Sequence, residues 1–172
     1  MAANDRRWIG NALERVRAFA LEVESKTSVI PLPRPATVEE EQLAFFDALI
    51  THKVLRVATR NLFRDGHYAD AVAKAYLVVN NAVKKKAAVP MDGVPLMNHV
   101  FSATKPVLSI TARKSQSQQD EHNGYRQIFA GAMLGIRNPH HHEHDLRDES
   151  DAALEMLVLA NHLLRVSRRA RR

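Results

Sequence analysis

Apolar residues recur every three or four positions along most of this chain, and nowhere do they alternate with polar ones over the length of a strand. Trp8, Ile9, Ala12, Leu13, Val16, Phe19, Ala20 and Val23 predict an amphipathic helix over residues 5–25, with Arg and Glu on its outer face. Pro31, Pro33 and Pro35 make a short stiff connector. Thr37-Val38-Glu39-Glu40 is a capping-box signature that opens a second helix carrying Leu43, Phe46, Leu49 and Ile50. The stripe extends to Val54, Leu55, Ala58 and Leu62, and the pattern leaves open whether the helix breaks near Thr51.

Arg64-Asp65-Gly66 reads as a stop, after which His67-Tyr68 begins the strongest helical pattern of the chain. Its stripe is Ala71, Val72, Ala75, Val78, Val79, Ala82 and Val83, and it ends in Lys84-Lys85-Lys86, cations suited to the negative end of a helix dipole. Asn80 and Asn81 interrupt that stripe, so at least one of them should find a buried partner or face a cleft. Residues 89–119 hold the breakers Val89-Pro90, Asp92-Gly93 and Pro95, and predict an excursion with one short helix from Leu96 to Phe101. Leu96, Met97, Phe101, Leu108 and Ile110 should dock it on the core. Helical spacing returns from Asp120 through Tyr125, Ile128, Phe129, Ala132, Met133 and Ile136. A last helix is expected from Ser150 to Val166, with Ala153, Leu154, Leu157, Val158, Asn161 and Leu164 inward. The fold class is all-α: a helical bundle of about four helices with an N-terminal helical arm.

Composition narrows the partners. The chain has 172 residues, 45% of them hydrophobic, which suits one domain with a real core. It has no cysteine, which excludes disulfides, zinc-thiolate sites and cysteine nucleophiles. No apolar run approaches the ~20 residues of a membrane span and no signal-peptide core follows the N-terminus, so a soluble, cytoplasmic protein without a membrane partner is expected. The net charge of +6 favours a polyanionic partner, although part of it lies in the tail Arg165, Arg168, Arg169, Arg171 and Arg172.

The chemistry concentrates in Gly135-Ile136-Arg137-Asn138-Pro139-His140-His141-His142-Glu143-His144. In an unbroken helix Arg137 and His142 would point about 140° apart. Pro139 disfavours α geometry at Asn138, and Asn is a good N-cap. The expected arrangement is therefore a helix ending near Arg137 and another starting at Pro139, a break that lets Arg137 and His142 converge beside a helix N-terminus. Arg offers a permanent cation with a planar fork for phosphate oxygens, and imidazole exchanges protons near neutral pH. Together they suit phosphodiester cleavage in RNA, where the 2′-hydroxyl is an internal nucleophile. Spacing alone favours a plainer reading, in which Arg137 caps a helix and the histidines are a solvated cluster. A metal site is the weakest reading, because adjacent residues do not converge on one ion, although His140 and His144 share a helix face. No metal and no cofactor is expected.

Gly131 to Pro139, followed by His142-Glu143, resembles the hallmark of the HEPN superfamily, an Arg and a His separated by four to six residues, here four. Leu62 to Val72 and Asp92 to Met97 are similar to a Ymh-type branch of that superfamily, and the likeness covers roughly residues 55–160. The resemblance implies a HEPN-like helical domain over 55–172, leaving 1–54 as an arm for assembly or partner binding. It implies a metal-independent endoribonuclease in a toxin or phage-defence setting, acting as a homodimer or higher oligomer, with an antitoxin or regulatory partner to restrain it. By position, Arg137 and His142 would be the catalytic pair and Asn138 and Glu143 would support them, with His67 and His141 as further candidates. Some HEPN proteins are non-catalytic, so a nucleotide- or RNA-binding or assembly module is the alternative.

Overall fold

The computed structural model describes residues 14–19, 21–22, 37–142 and 149–172, with the side chains of all of these except His141 and His142. The chain divides into two units, 1–35 and 36–172. In the first, residues 14–19 and 21–22 are helical, inside the helix expected over 5–25. The proline connector lies outside the described residues.

In the second unit the elements are α1 (Val38–Leu49), α2 (Lys53–Arg64), α3 (Tyr68–Ala87), α4 (Gly93–Val100), α5 (Gln116–Ala132), a π-helical segment (Met133–Arg137), α6 (Asn138–His142) and α7 (Ser150–Arg169). No strand occurs among the described residues; Ser109 and Arg171 form an isolated antiparallel bridge. The fold is an all-α helical bundle, and no described helix is long and apolar enough to cross a membrane.

The capping box at α1 forms as its sequence predicts: the Glu40 carboxylate accepts the Thr37 N–H at 3.0 Å and Thr37 Oγ1 accepts the Glu40 N–H at 3.3 Å. The helix stops at Leu49, and Asn161 of α7 explains why. Its Oδ1 accepts the His52 N–H at 2.9 Å and its Nδ2 donates to the Leu49 carbonyl at 3.4 Å. One buried side chain thus satisfies backbone groups on both sides of the break, which an unbroken helix would have satisfied internally. The unit begins at Ala36, upstream of the boundary expected after residue 54, because α1 is part of the bundle. Phe46 and Ile50 are fully buried, Phe46 stacks on Phe63 at 5.1 Å, and Asp47 pairs in two-pronged fashion with Arg60 at 2.8 and 2.7 Å.

Helix α3 is the spine, packed against both α2 and α7. Ala71, Val72, Ala75, Val79 and Val83 of its stripe are fully buried. Tyr76 joins them and donates its hydroxyl to the Met156 carbonyl of α7 at 3.0 Å; burial pushes its phenol well above the ordinary range. The chain between α3 and α5 docks through Leu96, Met97, Phe101 and Leu108, all fully buried, with Phe101 stacked on Phe129 at 4.7 Å. Burying each such side chain is worth about 1.5–3 kcal/mol. His122, also fully buried, fastens this segment. Its Nε2–H is shared between the carbonyls of Phe101 and Ser102 at 3.1 and 3.2 Å, and its Nδ1 accepts the Ile110 N–H at 3.3 Å. Helix α5 starts at Gln116, ahead of the expected Asp120, because Ser115 Oγ caps it by accepting the Gln118 N–H. Helix α7 likewise runs past Val166 to Arg169. There the Lys86 ammonium donates to the carbonyls of Ser167 and Arg168 at 2.8 and 2.6 Å, while the Arg172 guanidinium donates to the Lys86 carbonyl. The C-terminal ends of α3 and α7 therefore cap one another with cations.

Candidate functional site

The motif does not break where its proline suggested. Asn138 is not an N-cap: it sits at φ −65° and ψ −47°, and its N–H bonds to the Met133 carbonyl five residues back. The chain stays helical from Gln116 through the widened turn to His142. In a regular α-helix the Pro139 ring would press on the carbonyl of residue 135 and the bond to it would be lost. A π-helical turn relieves that crowding without ending the helix, a solution frequent at functional sites. The convergence of Arg137 and His142 through a break is therefore corrected. Along a continuous helix His140 and His141 lie about 60° and 40° from Arg137, and His142 about 140°. Residues three and four positions on share the face of Arg137; the fifth does not.

Arg137 turns towards the start of α4. A Cβ built on Gly93 would lie 3.6 Å from Arg137 Nη1, so the guanidinium rests against the backbone at this point. Its Nε is buried with no hydrogen-bond acceptor among the described residues. Asp92 stands at the N-cap position of α4 yet makes no cap bond of its own. Its carboxylate instead meets Lys84 Nζ at 2.7 Å and Asn80 Nδ2 at 2.8 Å. Asn80, fully buried, completes the cap from α3 by accepting the Gly93 N–H on Oδ1 at 2.8 Å. The Lys84 bond, then the Asn80 bond, and more distantly the charges of Lys84 and Arg137, hold the Asp92 carboxyl below the ordinary carboxylate range. Two cations thus share one carboxylate, which leaves the cluster positive and able to take an anion.

His140 lies three positions beyond Arg137 in the continuing helix, on the same helical face. Its Nδ1 lies 2.7 Å from the Ile136 carbonyl oxygen, which can only accept. The ring proton is therefore on Nδ1, and in the neutral ring Nε2 is the basic nitrogen. The side chains of His141 and His142, and all of Glu143, lie outside the described residues. His67 is exposed at the opposite end of α3, about 20 Å along the helix axis from Asn80. It does not join Arg137, and its neighbour Asp65 is paired with Arg64 at 2.8 Å. No cluster of three metal-ligating side chains occurs among the described residues.

The structure also assembles residues that the motif alone did not reveal. Asn80, Lys84, Asp92 and Gly93 approach Arg137 from two other helices. The signal for Asn80 was present, since it interrupts an apolar stripe and is buried with its amide bonded on both sides. No such signal marked Lys84, which reads as one more cation at a helix end.

Residues 50–166 match the sequence model of a family described as a protein of unknown function, Hypoth_ymh. The chain belongs to the Ymh family. No curated protein and no solved structure matches it. The matched stretch contains every member of the Arg137 cluster, so this arrangement is built wholly within the Ymh region.

Proposed function

We propose that this Ymh protein is a metal-independent endoribonuclease of HEPN type. The observation that supports it most is the Arg137 guanidinium, held against the α4 N-terminus with a buried Nε that lacks an acceptor among the described residues. The permanent charge and planar fork of a guanidinium suit the phosphate oxygens of a scissile linkage. The face-sharing imidazole of His140, with Nε2 as its basic nitrogen, takes the proton of the ribose 2′-hydroxyl. The 2′-oxygen then attacks phosphorus, the bond to the 5′-oxygen breaks, and that oxygen receives a proton from a second acid. The products are a 2′,3′-cyclic phosphate and a 5′-hydroxyl. His142, the residue named by the HEPN resemblance, is the alternative proton carrier. In a homodimer, the partner's copy of the imidazole supplies the acid. Outward apolar pairs on α1 (Phe45, Leu49) and α2 (Val54, Val57) support assembly. A cytoplasmic toxin or phage-defence effector restrained by an antitoxin is the setting that fits such an activity.

One observation favours a second reading, a non-catalytic RNA- or nucleotide-binding or assembly module. The helix runs unbroken through Pro139, so the chain makes no break there of the kind that would turn Arg137 and His142 towards one another.

The experiment is cleavage of mixed cellular RNA in EDTA by the full chain and by folded Arg137→Ala, His140→Gln and His142→Ala variants. Cleavage with cyclic-phosphate ends, lost by at least a hundredfold in Arg137→Ala and in one histidine variant, is the expected result. Cleavage that persists in all three variants refutes the assignment. RNA binding without any cleavage replaces it with the binding module.

A further inference from the structure

On another side of the C-terminal turn of α3, a cavity of about 420 Å³ opens between α3, α7 and the α1–α2 junction. Ala82 and Leu164 form its apolar part, and His52, Lys85, Lys86 and Arg168 supply four basic side chains. Its size falls in the range of small-molecule sites. Lys84 meets Asp92 on one face of α3, and Lys86 is about 160° away around the helix, so the cavity and the Arg137 cluster are separate.

The basic groups here lack the counter-charge that Lys84 has. No carboxylate lines the cavity, and neither Lys85 nor the Arg168 guanidinium has an ion-pair partner among the described residues. Lys86 is fixed in place by the carbonyls of Ser167 and Arg168, which occupy two of its three N–H groups. His52 is mounted just as firmly through its backbone N–H on Asn161, yet its Nδ1 is buried with no partner among the described residues. Burial first, and the Arg168 charge second, hold its imidazole below the ordinary histidine value, the mark of a positive and dehydrated setting. Like charges gathered around a hollow repel one another, and a multivalent oxyanion removes that repulsion. The apolar part, Ala82 and Leu164, suits the uncharged body of the same ligand.

We propose that this cavity binds a phosphate monoester of a small molecule, of the size and chemistry of a nucleoside monophosphate. The phosphate sits among His52, Lys85, Lys86 and Arg168, and the base lies on Ala82 and Leu164. The site does not depend on the ribonuclease reading, since none of its residues belongs to the Arg137 cluster.

The test uses the full chain, with adenosine monophosphate, adenosine and inorganic phosphate titrated at constant ionic strength. Calorimetry and the imidazole NMR signals of His52 are the readouts. The nucleotide and phosphate should both shift the His52 signals, the nucleotide binding about tenfold more tightly because it also covers the apolar part. Adenosine should not bind. Lys85→Gln and Arg168→Gln, both at exposed positions, should each weaken nucleotide binding about tenfold while leaving the thermal midpoint unchanged. Arg137→Ala should bind as tightly as the parent. The proposal is overturned by no His52 shift with nucleotide or phosphate, by undiminished binding in the Lys85→Gln and Arg168→Gln variants, or by binding lost in Arg137→Ala. A single-stranded oligoribonucleotide that shifts His52 where the monophosphate does not also overturns it, in favour of a nucleic-acid track.

Discussion

Asn80→Leu isolates the hydrogen bonds that hold the start of α4, and with it the floor beneath Arg137. Leucine has the branching of asparagine but is apolar and somewhat larger, so it leaves no void in a fully buried position. What it removes is the acceptor of the Gly93 N–H at 2.8 Å and the donor to Asp92 Oδ1 at 2.8 Å. The first bond is buried, and an N–H stranded there costs about 1–3 kcal/mol. The second ends on a half-exposed carboxylate that water and Lys84 still satisfy, so its loss costs only about 0.5–1.5 kcal/mol. The better burial of leucine offsets part of this, leaving a net loss of about 1–3 kcal/mol. Asn81→Leu is the control. It lies one position on and is exposed, its tie to Asn80 is a long 3.4 Å bond that its Oδ1 accepts from Asn80 Nδ2, and it should change stability by less than about 0.5 kcal/mol. Urea unfolding of both variants measures the difference directly, provided that the slope of each transition stays that of the parent. If Asn80→Leu unfolds within 0.5 kcal/mol of the parent, the trans-cap argument fails. Arg137 would then have to be positioned by something other than Asn80 and the α4 N-terminus.

The remaining predictions concern backbone and protonation. Gly93 and Gly66 have φ of +63° and +79°, so alanine should cost about 1–2 kcal/mol at each; a Cβ at Gly93 stays 3.6 Å from Arg137 Nη1, and equal losses in thermal or urea unfolding would show that the cost is conformational. The His52 imidazole is held below its ordinary value of about 6.5, so between the two values the unfolded chain holds a proton that the folded chain does not. Its contribution to stability is therefore complete above about pH 6.5 and declines as pH falls through the folded value, a segment that should vanish from the stability profile of His52→Gln. Asp92, held below the ordinary carboxylate range, adds stability that is lost only at lower pH, below about 4, and Asp92→Asn should flatten that part of the curve.

The sequence by itself determined the helical class, the burial of the α3 stripe, the Thr37 cap and the residues that dock the chain between α3 and α5. Each rests on local periodicity or on a contact three or four residues long, which a one-dimensional pattern records. It also marked Asn80 and Asn81 as a pair, at least one of which must be satisfied inside the apolar stripe, and left the choice between them to the tertiary structure, which buries Asn80. Only the tertiary structure decided the rest. The break after Leu49 depends on Asn161, more than a hundred residues away, whose amide bonds both sides of it. The path through Pro139 depends on a π-helical turn whose bond runs from Asn138 to Met133. Local preference pointed to a helix start there, but the widened turn accommodates the proline while Met133 and Phe129 remain in the core. That choice sets which histidines share the face of Arg137. The anchoring of Arg137 over Gly93 is likewise a meeting of α3, α4 and the π-helical segment, and no spacing along the chain encodes it.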